Sequence, residues 1–346
     1  MIPLPKAGKP FFYLDGIYFS IVLVWTNIKM KANKIQSLVS HYTSNQRSMV
    51  MGMVAFFRFK WSLLIVTACL LMGCGNMRAK MTVNSMRPIM DKMNIAVNKN
   101  SDVALVKDAM PASLVQMDGF IEAVPDNEDL LLRASEANGG YAFLFLMDTD
   151  KPRARKLFQK AKEYALRVLL KNDDFQEAFD QPEEAFAMSL KTFDKEDVRA
   201  LFLAANSWLS WIGLSHAENP KALTDLPKVE AIMSRIIELD DTFNFGAIHA
   251  MMGSYLASRP VMLGGNPKEA DWHFKQAFEI SDSKYLMWKY LYAKFYTVQI
   301  QDQDLFVRTL QEVISSPENL LPEKNFVNEA ARVKSKALLA EVDELF

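Results

Sequence analysis

The sequence predicts an all-α fold arranged as a helix-turn-helix solenoid, and three observations support that prediction. Apolar residues recur at intervals of three and four from residue 77 to the C terminus, which is the spacing of one face of an α-helix. No stretch shows the sustained alternation with β-branched residues that is typical of a half-buried strand. Clusters of Asp, Asn, Pro and Gly interrupt the pattern and leave room for helices of about 12 to 20 residues.

Helix ends are predicted where residues that cap or break helices cluster. These breaks lie at residues 98–102, 124–127, 147–152, 172–174, 193–196, 218–227, 240–241, 258–267, 281–283, 301–304 and 315–323. In one of the longest breaks, Gly264 and Gly265 are expected to provide a loop conformation with a positive φ. Length alone allows two domains of about 150 residues or one elongated array.

A repeating core motif favours the single array. The second helix of a tetratricopeptide repeat carries a small residue, an aromatic residue four positions later and a small residue three positions after that. Four sets have this spacing, the second and fourth with bulkier residues: Ala154, Phe158 and Ala161; Val229, Met233 and Ile236; Ala270, Phe274 and Ala277; Phe306, Leu310 and Val313. Successive sets are 75, 41 and 36 residues apart, and the first gap is interpreted as two periods. We therefore predict one tetratricopeptide-like repeat domain over residues 74–346, rather than amphipathic helices that align by chance.

The N-terminal part of the chain has a different character. Residues 1–73 carry eight basic residues and one acidic residue, whereas residues 74–346 carry 32 basic and 40 acidic residues. Arg58 and Lys60 precede a thirteen-residue apolar run at 61–73, and small residues follow, which is the order of a secretory signal. As a helix the run rises about 20 Å, short of the ~30 Å hydrocarbon core of a bilayer. We interpret residues 49–73 as a signal peptide.

The end of this run predicts a lipid anchor. Leu71, Met72, Gly73 and Cys74 resemble the lipobox of bacterial lipoproteins, in which the cysteine is acylated and becomes the first mature residue. An alternative lipobox ends at Cys69, but cleavage there leaves a shorter apolar run and an apolar stub outside the membrane. No cysteine pair remains in the mature chain to form a disulfide framework.

Residues 1–48 do not fit this arrangement, because a signal peptide begins a few residues before its basic region. Met49, Met51 and Met53 all lie where a start codon would place one, so residues 1–48 are interpreted as a non-native or mis-assigned extension. The alternative is a membrane element that includes residues 17–25, although nine residues cannot span a bilayer.

The mature part lacks the patterns of an enzyme or a cofactor site. His41, His216, His249 and His273 are isolated in the sequence, so no metal site is predicted. Its two Gly-Gly pairs are not followed by the Lys-Ser/Thr of a phosphate loop, and there is no nucleophile elbow. Its acidic balance does not favour nucleic-acid binding. We predict a protein that is not an enzyme and has no cofactor.

Aromatic residues are the unusual feature of the second half. Most are expected in the core, but Trp and Tyr have polar tips that suit the half-buried walls of an apolar binding site. The candidate walls are Trp208, Trp211, Tyr255, Trp288 and Tyr292. Arg259 is the candidate counter-charge for an acidic ligand.

Longer motifs in the same region support a family assignment. They are DVRALF at 197–202 with Trp208, Trp211 and Ile212; DLPKVE at 225–230; Pro260, LGGNPKEA at 263–270, His273 and Phe274; NEAA at 328–331, KALL at 336–339 and DELF at 343–346. Together they resemble the tetratricopeptide lipoproteins that form the T component of tripartite ATP-independent periplasmic (TRAP) transporters. The resemblance covers about residues 102–346.

The resemblance implies an all-helical, lipid-anchored homotrimer with a ligand-sized channel that docks a periplasmic substrate-binding protein. We therefore expect a transport accessory in the bacterial cell envelope, facing the periplasm, which binds a small apolar or carboxylate-bearing ligand. The alternative function is a protein-protein interaction scaffold, since such repeats usually bind proteins on their concave face. An aromatic tunnel would favour the ligand carrier, and a polar groove would favour the scaffold.

Overall fold

The computed structural model of the protein describes residues 53, 55–57, 59–60 and 74–346, and in the last range it describes side chains from residue 78 onward. Regular structure in these residues is helical, with no strand, which confirms the predicted all-α class. The chain divides after Gly75 into two compact units. None of the described helices is both long and apolar enough to cross a bilayer.

Several predictions for the N-terminal part lie outside the described residues. These are the extension at 1–48, the possible membrane element at 17–25, the apolar run at 61–73 and the alternative acylation site, Cys69. Cys74 is the first residue of the first long helix, and its side chain also lies outside the described set. The signal peptide and the lipid anchor therefore stay predictions.

Four helices come first among residues 74–346, and the last three of them start at predicted breaks. They are α1 (Cys74–Lys99), α2 (Val103–Ala123), α3 (Glu128–Tyr141), which continues as a π-helix over Ala142–Leu146, and α4 (Lys151–Leu169). The side chains of Asp102, Asn127 and Asp150 accept hydrogen bonds from the first-turn backbone of α2, α3 and α4. Each break thus contains the N-cap that begins the next helix.

The middle of the chain departs from the predicted period. It contains α5 (Asp173–Ala178), α6 (Glu183–Ser189), 3₁₀ turns at Leu190–Thr192 and Lys195–Asp197, α7 (Val198–Ser215), a 3₁₀ turn at Pro220–Asp225 and α8 (Leu226–Asp240). The ring of Phe175 packs against those of Phe186 and Phe193, with centroids 5.3 and 5.2 Å apart, and these contacts hold the two short helices in place. The 75-residue gap therefore holds one long helix and an insertion, and its interpretation as two periods was wrong.

The C-terminal half contains two pairs of long helices that pack on each other. Its elements are α9 (Phe243–Ala257), a 3₁₀ turn at Val261–Leu263, α10 (Pro267–Ile280), α11 (Leu286–Leu291) with a π-helix over Tyr292–Thr297, α12 (Gln303–Ser315), a 3₁₀ turn at Pro322–Lys324, α13 (Asn325–Leu339) and α14 (Val342–Leu345). Helix α10 packs along α9, and α12 packs along α13. The first turn of α9 is left-handed at Asn244, Phe245 and Gly246, where φ is 46, 62 and 74°.

The twelve residues of the repeating motif are all completely buried. They lie on α4, α8, α10 and α12, one set to a helix. Each of these helices packs closely on a neighbouring long helix: α4 on α3 and α7, α8 on α7, α10 on α9 and α12 on α13. The motif therefore identifies the helix faces that form the core, while the tetratricopeptide interpretation stays a prediction.

An ion-pair cluster joins the first helices to the last ones. Asp148, in the turn after the first π-helix, lies 2.6 Å from the Lys294 ammonium on the second π-helix and 2.5 Å from the Lys334 ammonium on α13. Burial alone would raise the pKa of Asp148, but the two ammonium groups outweigh it and hold that pKa below its usual value. The rings of Phe145 and Phe326 also meet there, with centroids 6.4 Å apart.

Candidate ligand-binding site

Trp208 and Trp211 lie one turn apart on α7. The indole of Trp208 is buried, its Nε1 donates to the Asp225 carboxylate at 3.0 Å, and its ring stacks on Phe179 with centroids 5.9 Å apart. Trp211 is half-buried and packs between two core clusters. Trp208 is thus satisfied within the core, whereas part of the Trp211 ring stays accessible.

Lys162 on α4 lies over both indoles. Its Nζ is 4.2 Å from the ring centroid of Trp211 and 5.3 Å from that of Trp208. No carboxylate of residues 78–346 lies within ion-pair distance, and burial lowers the pKa of Lys162 even though Asp225 and Glu163 act in the opposite direction. An ammonium has three donors to offer, so this cation can receive an anionic group.

Tyr255 and Arg259 lie one turn apart at the end of α9 and are engaged with a carboxylate of α8. The Tyr255 hydroxyl donates to Glu230, and burial together with that contact raises the pKa of Tyr255. The Arg259 guanidinium lies 3.7 Å from the Tyr255 ring centroid and 3.6 Å from the Glu230 carboxylate. Arg259 therefore has a counter-charge inside the protein already.

Trp288 and Tyr292 lie on α11 and on the second π-helix. Trp288 is buried, donates to the carbonyl oxygen of Phe245 at 2.8 Å and stacks on Tyr285 with centroids 4.4 Å apart. Tyr292 is half-buried, donates to Asp271 at 3.2 Å and stacks on Tyr296 with centroids 4.7 Å apart. The bond from Trp288 stabilises the left-handed turn that begins α9.

The structure does not gather the six predicted site residues into one wall. Trp208, Trp211 and Tyr255 belong to or pack on one core cluster, whereas Trp288 and Tyr292 belong to or pack on another. Five half-buried aromatic side chains each pack on two core clusters, three of them on both of the clusters just named and two on a third cluster and one of these. This aromatic junction consists of Phe143, Phe202, Trp211, Phe295 and Tyr296.

The two π-helices supply three of the five side chains of the aromatic junction. Phe143 lies on the first, and Phe295 and Tyr296 lie on the second. A π-helical turn is wider than an α-helical one, is rare, and often occurs at functional sites. The junction therefore presents accessible aromatic surface on an irregular backbone, which suits contact with an apolar ligand.

A polar cleft of about 490 Å³ lies elsewhere, between α1, the start of α3 and the start of α7. Arg87 and Arg199 lie 3.6 and 3.9 Å from the Asp129 carboxylate inside it, and Glu196 also lines it. Its charges are largely paired with one another, so we do not place the ligand there.

Two histidines that are isolated in the sequence are in contact in the structure. His249 and His273 are buried, and their Nδ1 atoms lie 2.9 Å apart. Burial lowers the pKa of both imidazoles, that of His273 to about 4, so they share a hydrogen bond as neutral rings near pH 7. Among the described residues, no third ligand completes a metal-binding group around them.

Comparison with known proteins places the chain in a family. The family model described as the TRAP transporter T-component matches residues 99–346. No curated protein matches the chain. The matched segment runs from the end of α1 to the C terminus, and it includes Lys162 and the whole aromatic junction. Because the match covers well over half of the sequence, the chain belongs to the TRAP transporter T-component family.

Proposed function

We propose that this protein is a non-enzymatic, lipid-anchored accessory component of a TRAP transport system. It holds a small, partly apolar ligand and docks the periplasmic substrate-binding protein of that system, from a position in the cell envelope that faces the periplasm. The family match over residues 99–346 carries this proposal, because it implies a role in TRAP transport. Tetratricopeptide-like repeats and a homotrimer are part of the proposal.

The ligand's position follows from where free aromatic surface and free positive charge meet. Trp211 belongs to the aromatic junction and also lies directly beneath the Lys162 ammonium. A ligand with an apolar body on the junction would therefore bring a carboxylate to Lys162. Lys162 fits the counter-charge role better than Arg259 does, because Glu230 already pairs with Arg259.

Replacing Lys162 with glutamine should weaken the binding of a carboxylate ligand and leave an uncharged analogue unaffected. Hydrogen bonds to charged groups contribute about 1.5 to 3 kcal/mol, so we expect the Kd for decanoate to rise about 10- to 150-fold. Isothermal titration calorimetry measures the Kd for decanoate and the Kd for decanol, its uncharged analogue. Lys156→Gln, at an exposed position on the same helix, is the matched control. Equal losses of affinity for decanoate and decanol would show that Lys162 maintains the fold and does not bind the carboxylate.

Replacing each cysteine with serine tests the proposed lipid anchor. Cys74→Ser should abolish incorporation of labelled fatty acid and release the protein from membranes, because only a cysteine thiol accepts the acyl group. Cys69→Ser should leave both unchanged, and it serves as the control. Labelling that survives in Cys74→Ser and is lost in Cys69→Ser would move the anchor to Cys69.

The transport role is tested by partner capture. The purified protein should bind the substrate-binding protein of the TRAP system encoded beside it, and native mass spectrometry of the complex should show a bound carboxylate. The same measurement gives the number of copies in the assembly. A protein that captures no such partner under these conditions does not have the proposed role.

One observation favours the second candidate, an interaction scaffold. Val261, Met262 and Leu263 are three consecutive exposed apolar residues, and Met262 is 96% exposed. Hydrogen bonds brace the loop that carries them: the Leu263 and Gly265 amides donate to the Pro260 carbonyl, and Gln299 donates to the Arg259 carbonyl. An exposed apolar tip on a braced loop is typical of a protein contact surface. If Met262→Asp abolishes partner capture but decanoate does not bind, the scaffold function replaces the carrier function.

A further inference from the structure

Helix α1 is attached to the rest of its unit along one face. Ala79, Val83 and Met90 pack into a small core cluster with the ends of α2 and α3. Polar contacts flank them: Arg87 lies 3.6 Å from Asp129, and Asp91 pairs with Arg133. Asp91 is the only acidic residue in α1, and this pair directs it toward the protein.

The opposite face of α1 combines exposed apolar side chains with cations. Met81, Ile89, Met93 and Ile95 are 67, 60, 58 and 46% exposed. At 100° per residue, Arg78, Lys92 and Lys99 fall on the same side of the helix, and all three are exposed. Within residues 78–346 none of the three forms an ion pair. We call this set the outer face of α1.

The charge of α1 is opposite to that of the body it packs on. Residues 74–99 carry five basic residues and one acidic residue, whereas residues 100–346 carry 27 basic and 39 acidic residues. Ion pairs with an acidic protein would explain a basic segment on it, but within residues 78–346 only Arg87 of the five basic residues makes one. The cations of the outer face point away from the acidic body.

We propose that the outer face of α1 lies on the surface of a membrane that contains anionic phospholipids. Amphipathic helices that lie in this position have apolar side chains at the boundary between headgroups and acyl chains, while Lys and Arg extend to the phosphates. Attraction to anionic lipid adds to the apolar contribution and depends on salt. The helix begins at Cys74, so an acyl group there would place its first turn at the same surface. The inference does not require acylation, and its test is separate from that of the anchor.

The test uses the full chain with Cys74→Ser, so that no acyl group contributes. Cosedimentation is measured with vesicles of phosphatidylcholine alone and with vesicles that contain about 30% phosphatidylglycerol, at low and moderate salt. The apolar run at 61–73 is uncharged, and the eight basic residues of 1–60 are the same in every variant, so the change in the ratio of the two partition coefficients from one variant to another isolates the outer face. Each basic residue near such a surface contributes about a fivefold factor, so Arg78→Gln, Lys92→Gln and Lys99→Gln together should lower this ratio at least about tenfold.

Two further variants distinguish binding by the outer face of α1 from a general effect of lost positive charge. The triple variant Lys156→Gln, Lys221→Gln and Lys336→Gln removes three exposed cations elsewhere and should leave the ratio unchanged. Ile89→Gln with Met93→Gln keeps every charge and should reduce the binding that persists at moderate salt. The inference is overturned if the outer-face variant binds anionic vesicles like the parent chain, or if both lysine sets lower the ratio equally. It is also overturned if the outer-face variants change the oligomeric state instead, since a second copy of the chain would then cover this face.

Discussion

Replacing Gly265 with alanine is expected to destabilise the protein by about 3 kcal/mol or more. A Cβ at this position would lie 1.8 Å from the carbonyl oxygen of Arg259, which is a backbone atom and cannot rotate away. The Gln299 amide also fixes that carbonyl, at 2.6 Å. The variant can therefore fold only if the loop between α9 and α10 opens and the bonds within it break.

Chemical denaturation of the variant and of Gly213→Ala measures this effect against a matched control. Gly213 is also a glycine of the second unit, but it lies within α7 and a Cβ there would meet nothing within 4 Å. Alanine at 213 should leave stability unchanged or raise it by about 0.5 to 1 kcal/mol, because glycine is unfavourable inside a helix. If Gly265→Ala unfolds at the same denaturant concentration as the wild type, the close approach is not a constraint.

Replacing Asn328 with alanine is expected to cost about 2 to 5 kcal/mol. Asn328 on α13 is completely buried and bridges the connection that precedes α11. Its Oδ1 accepts from the Leu286 amide at 2.9 Å, and its Nδ2 donates to the Lys284 carbonyl at 2.9 Å. Alanine removes both bonds and leaves a backbone donor and a backbone acceptor without partners.

The matched control is Asn325→Ala, one turn earlier on the same helix. Asn325 is also buried, but its Oδ1 has no hydrogen-bond partner among the described residues. Its replacement should therefore cost much less, and urea denaturation curves of the two variants give the difference directly. Similar losses at both positions would mean that Asn328 acts through packing volume and not through its two hydrogen bonds.

Local patterns in the sequence were sufficient to predict where the helices lie and which faces they bury. The spacing of Ala270, Phe274 and Ala277 depends only on the pitch of one helix, and all three are completely buried. Gly264 has the expected positive φ of 86°, whereas Gly265 serves the loop through its close approach to Arg259. The role of Gly265 depends on where the chain returns, and a local pattern does not contain that information.

Contacts between distant residues explain what was missed at the candidate site. His249 meets His273 across 24 residues, so spacing along the chain gives no sign of the pair. Lys162 is one of several lysines on α4, and only the packing of α7 against that helix distinguishes it. Aromatic content directed attention to α7 and α11, whose part in ligand binding stays a proposal, while the π-helical turns that carry Phe143 and Phe295 were not predicted.

The cluster at Asp148 has a consequence for the order in which the chain folds. In an open stack of helices each layer forms from local contacts, so the ends can fray independently. Here the carboxylate that follows the first π-helix pairs with Lys334, which is 186 residues later in the sequence. At a synthesis rate of about 5 to 20 residues per second, the ribosome adds Lys334 roughly 10 to 40 seconds after Asp148. The turn after the first π-helix and helix α13 thus complete each other in a late step, so we expect these two parts of the second unit to gain and lose their structure together.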